Sequence, residues 1–81
     1  MEMQEEARRK YFIKLKDLED MKAFVNAARE LKGICEVISG RYRVNAKSLM
    51  AVLAIPISGI MMMEVEQTQE NLPQSLQRYL Y

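Results

Sequence analysis

Histidine is absent from the 81 residues of this chain. That removes the commonest general base and the commonest metal ligand together. Cysteine is nearly absent: Cys35 stands alone. No internal disulfide is therefore open to the chain, in keeping with a reducing, cytoplasmic compartment. Long apolar runs are missing too. The longest, residues 49–57, is interrupted by Pro56 and falls well short of the ~20 residues needed to span a bilayer. Residues 1–10 are charged, with no apolar run behind them, so no signal peptide is expected. An excess of charge of one sign is also lacking. Twelve Lys and Arg stand against 11 Asp and Glu, a net charge of +1. Such a balance gives no reason, from charge alone, to expect a nucleic-acid or membrane-surface binder. With no metal motif and no nucleophile beside a base, neither enzymatic activity nor a cofactor is expected.

What is present suits one small domain. Residues 1–10 read as a polar lead-in and residues 11–81 as the domain itself. A chain this short buries only about 60% of its unfolded surface, so its core has little margin. Tyr11, Ile13 and Leu15 alternate with polar neighbours and predict a strand. Asp17 is placed to cap a helix, with Glu19 and Asp20 in its first turn, where carboxylates suit the helix dipole. Leu18, Met21, Val25, Ala28 and Leu31 follow helical spacing with Phe24 beside them, and Lys32-Gly33 ends the run.

Residues 34–38 predict a second strand with Cys35 and Val37 on one face. Ser39-Gly40 marks a tight turn, and residues 41–46 a third strand. Ser48 is placed to cap a short helix over residues 49–54, broken by Pro56 and Gly59. Residues 60–66 predict a fourth strand. Asn71 is the expected cap of a last helix with Pro73 in its first turn and Leu72, Leu76 and Leu80 along one face. The order β-α-β-β-α-β-α predicts an α+β open-faced two-layer sandwich: a four-stranded antiparallel sheet with helices on one face. A ferredoxin-like sheet has a similar element order and is the main topological alternative.

The run Val44-Asn45-Ala46-Lys47-Ser48-Leu49-Met50-Ala51-Val52-Leu53 resembles the segment around the regulatory serine of HPr proteins, the histidine-containing phosphocarriers of the sugar phosphotransferase system. The family pattern is Val-Asn-(Ala/Leu)-Lys-Ser-Ile-Met-Gly-(Val/Leu)-Met. The chain departs from it conservatively at Leu49, Ala51 and Leu53. Phe24-Val25-Asn26-Ala27-Ala28 is similar to the family's first helix, and the spacing between the two segments fits. The resemblance covers roughly residues 11–80 and implies an HPr-like sandwich with strand order 1-4-2-3. It also implies a regulatory phosphorylation site at Ser48. Lys47, Leu49, Met50 and Leu53 would form the partner-binding surface.

The family's catalytic loop reads Gly-(Leu/Ile)-His-Ala-Arg-Pro-Ala. Counting back from Phe24-Val25, the histidine column falls on Asp17, the arginine column on Glu19 and the proline column on Asp20. The loop is shortened, because the first strand runs straight into the helix. The nucleophile is gone, and carboxylates stand where an incoming phosphate needs positive charge. The expectation is a regulatory or adaptor protein that binds a regulator, kinase or transport component and carries no phosphohistidine. The shortened loop and an exposed strand edge are compatible with a homodimer formed by strand exchange.

The remaining candidates have plainer explanations. At helical spacing Leu49, Val52 and Leu53 do not all face solvent; Val52 is expected inside and Met50 outside. Met61, Met62 and Met63 do not converge on one ion, since strand alternation sends Met62 to the opposite face. Arg41 and Arg43 suit a solvated hairpin face. Cys35 suits a small buried residue. The alternative function is a small nucleic-acid-binding α+β domain. It would need aromatic residues on the open sheet face, for which Phe12 is a candidate, together with a basic field.

Overall fold

A computed structural model describes residues 8–56, 59–66 and 72–81 of the protein. Strand β1 (Arg8–Lys14) begins three residues before the expected Tyr11, inside the stretch taken as a polar lead-in. Its cationic start has little strand propensity of its own. Pairing supplies the order, since Arg8, Arg9 and Lys10 lie opposite Glu66, Val65 and Glu64 of β4 (Ile60–Glu66). Between them lie α1 (Leu18–Ala28), β2 (Cys35–Ser39), β3 (Tyr42–Asn45) and α2 (Leu49–Leu53), and α3 (Gln74–Gln77) follows β4. The four strands form one antiparallel sheet in the order β1-β4-β2-β3. This is the order implied by the resemblance, and it excludes the ferredoxin-like alternative.

Period-2 alternation decides what the sheet buries. Ile13 and Leu15, Cys35 and Val37, and Met61, Met63 and Val65 point under the helices. Met62 faces the other way and is half-buried, so the three methionines share no site. Phe24 and Val25 of α1, Val52 of α2 and Leu76 of α3 close the layer from above. Phe24 meets Tyr79 edge-on, with ring centroids 5.7 Å apart at 88°, the geometry favoured by aromatic quadrupoles.

Several expected boundaries shift. α1 stops at Ala28, not Lys32, because Glu30 and Leu31 donate to Ala27 and Ala28 and tighten the chain into i→i+3 bonds. Leu31 stays buried all the same, whereas Leu18, placed with the core by spacing, is exposed at the first turn. β2 begins at Cys35, and Ile34 is exposed. Gly33 has φ +84°, and a side chain there would strike the Glu66 carboxylate. Gly40 has φ +61° in the β2–β3 turn, where glycine adopts the required conformation without strain.

Asn71 lies outside the described residues. Pro73 occupies the cap position of α3 rather than its first turn. Leu80 leaves the helical stripe and forms a β-bridge with Ile13. Tyr79, not Leu80, therefore completes the core. The bridge, with Lys14 donating to Tyr79 and Tyr81 donating to Phe12 at 2.9 and 2.8 Å, covers part of the free edge of β1.

Candidate partner-binding face and its surroundings

α2 is five residues long and starts because Ser48 adopts an extended backbone whose Oγ accepts from the Ala51 N–H at 3.3 Å. That bond satisfies an otherwise orphaned helix donor. From this start the helical period fixes the rest. Val52 is fully buried, Leu49 is half-buried against the core, and Leu53 is 43% exposed. Met50 is 83% exposed. Met50 and Leu53 stand three residues apart and so share one outward face of the turn.

Lys47 sits at the same corner, but its ammonium is engaged internally. It donates to the Leu31 and Gly33 carbonyls at 2.6 and 2.7 Å. The Lys47 carbonyl accepts from Arg29 Nε at 2.9 Å. Lys47 thus staples the start of α2 to the chain leaving α1.

Asp17 caps α1, with Oδ1 accepting from the Asp20 N–H at 2.9 Å. Asp20 Oδ2 accepts from the Lys16 N–H at 2.8 Å. The two carboxylates form a reciprocal capping arrangement with a direct structural use. Glu19 is exposed beside them. Ser48 and Asp17 are not brought together. The start of α2 is tied to the exit of α1, and Asp17 marks its entry, about 16 Å away at 1.5 Å per residue.

One arrangement escaped sequence reasoning. Glu36 and Glu64 lie directly opposite on β2 and β4, where like charges repel. Two arginines from outer strands bridge them. Arg43 Nη1 donates to Glu36 Oε1 at 2.7 Å and Glu64 Oε1 at 3.1 Å. Arg8 Nη1 reaches the same two oxygens at 3.2 and 3.3 Å. The Glu64 side chain is only 8% exposed on the sheet face away from the helices. The Arg43 hydrogen bond holds its carboxyl below the usual range against the opposing effect of burial, with Arg8 and Lys10 adding to it.

A lowered folded pKa means that the unfolded chain binds the proton more readily. The stabilisation is therefore complete above the ordinary glutamate value near 4.5. It is lost as pH falls through the lower folded value. Glu64→Gln should accordingly melt below the parent at neutral pH, with the gap narrowing as the pH falls below the ordinary glutamate value near 4.5. Thermal melts followed by circular dichroism test this; a gap that stays constant would show that Glu64 contributes nothing through its charge.

Burial pushes the Cys35 thiol up to about 11, against the opposing pull of Lys47. It is a protonated core side chain at neutral pH. Among the described residues no group of three or more His, Cys, Asp or Glu is placed to hold a metal, and no helix is long and apolar enough to cross a membrane. No family model, curated protein or solved structure matches the chain.

Proposed function

We propose that the protein is an HPr-like adaptor that works by docking a protein partner in the cytoplasm and not by carrying phosphate. The observation that carries this is Met50. It is the most exposed large apolar side chain among the described residues, where Met21, Met61 and Met63 are buried, and Leu53 extends it into a face. An unbranched thioether adapts to a partner's contours, which suits a docking contact. The strand order and the Val44–Leu53 run support the family relation.

Ser48 would act as a switch. A phosphate on its Oγ would lie at the start of α2, adding about two negative charges beside the Met50 face. The partner would be a regulator, kinase or transport component of the phosphotransferase network.

The phosphocarrier role is replaced by binding because Asp17, Glu19 and Asp20 stand at the start of α1, where an incoming phosphate would meet carboxylates in place of a nucleophile and a cation. Incubation with the general phosphotransferase enzyme and labelled phosphoenolpyruvate should leave the protein unlabelled. Stable label on the chain would overturn the proposal.

A further inference from the structure

We propose that the uncovered face of the sheet, with the basic cavity at its edge, binds single-stranded nucleic acid. The middle row of that face follows from the strand register. Phe12 pairs with Met62, Met62 with Ile38, and Ile38 with Arg43. On the outer edge the Tyr81 N–H donates to the Phe12 carbonyl, and Tyr81 is 75% exposed. Phe12 is 58% exposed, and Ile60 in the next row is 45% exposed. The helices all lie on the other side, and no element among the described residues covers this platform.

Charge selects the occupant. Alternation along β1 puts Lys10 and Lys14 on the same face as Phe12, one on each side of it. Of the carboxylates that alternation puts on this face, Glu36 and Glu64 are compensated by Arg8 and Arg43, with Lys10 4.0 Å from Glu64, and Glu66 accepts from the Ile34 N–H. Beyond Lys14 the platform falls into a cavity of about 270 Å³ lined by Lys14, Lys16, Arg78 and Tyr81. Its one acid, Asp20, has an oxygen occupied by the Lys16 N–H. Arg78 lies 5.4 Å from the Tyr79 ring centroid.

An exposed ring flanked by Lys10 and Lys14, next to a pocket that adds Lys16 and Arg78 against Asp20, matches bases that stack while their phosphates are neutralised. A second copy of the chain would bring the same cations against these. An acidic peptide would satisfy the cations and leave the ring unused. A duplex would hide the base faces that the ring needs.

The test is fluorescence anisotropy with a fluorescein-labelled oligothymidylate of about twelve nucleotides, at about 50 mM salt and upward. The same sequence as a duplex, and polyglutamate as competitor, complete the set. Binding to the single strand should weaken steeply with salt. Phe12→Ala should weaken it about tenfold. Phe12→Leu keeps the apolar bulk, guarding against a folding defect, and should also weaken binding. Replacing Lys14 and Lys16 together by Ala should reduce the slope of log affinity against log salt by about one and a half, at roughly 0.7 per phosphate contact. No binding, equal binding of the duplex, displacement by polyglutamate at equal charge, or Phe12 variants that bind like the parent would each overturn the proposal.

Discussion

Phe24→Ala is expected to lower the melting temperature by more than about 15 °C, while Phe12→Ala changes it by only a few degrees. The two residues share a chemistry and differ in burial. Phe24 is fully buried, touches Tyr79 edge-on and lies where α1 meets the sheet. Removing a buried phenyl ring costs about 3–5 kcal/mol, counting the cavity left behind. A chain of 81 residues has a total stability of roughly 4–12 kcal/mol at 0.05–0.15 kcal/mol per residue. The loss is thus a large share of the whole. Phe12 stands on the open face, and its truncation leaves no cavity. Thermal melts monitored by circular dichroism compare the two variants; equal melting temperatures would mean that the core is placed on the wrong side of the sheet.

Met50→Asp is expected to have little effect on stability and a large effect on association. At 83% exposure the new carboxylate stays in water when the protein is free, so the fold should change by no more than about 0.5 kcal/mol. In a complex the same carboxylate must be desolvated within an apolar contact and without a counter-ion. A cost of a few kcal/mol there weakens affinity roughly a hundredfold, at 1.4 kcal/mol per factor of ten. Ser48→Asp should weaken the contact less, because its charge lies at the start of α2 and is partly compensated by the helix dipole. Val52→Asp, two residues on and on the opposite side of the helix at a fully buried position, should unfold the protein instead. Circular dichroism beside sedimentation velocity separates the three outcomes. If Met50→Asp melts like Val52→Asp, Met50 belongs to the core and the docking face is misplaced.

Local chemistry made part of this legible in the sequence. The Asp17 and Ser48 caps, the inward Val52 and outward Met50, and the bounds of β4 at Ile60 and Glu66 follow from periods and capping residues. Features set by distant partners were not legible. Arg8-Arg9-Lys10 becomes strand only because β4 offers it a partner of matching register. The sharing of Glu36 and Glu64 between Arg8 and Arg43 needs three strand pairings at once. Lys47 is expected on the partner-binding surface, yet the path of the chain between α1 and β2 turns two carbonyls toward its ammonium. Leu80 fits a helical stripe, but the edge of β1 draws it out of the helix.

The docking face is tested most directly by a photo-reactive phenylalanine analogue placed at position 50 and, separately, at Lys22, an exposed position on α1. Both variants are irradiated in living cells, and cross-linked species are resolved by mass. A discrete protein adduct at position 50, absent at position 22 and lost when Leu53→Asp is added, is the predicted result. The same adducts at both positions, or none at position 50, would contradict a docking role for the α2 face.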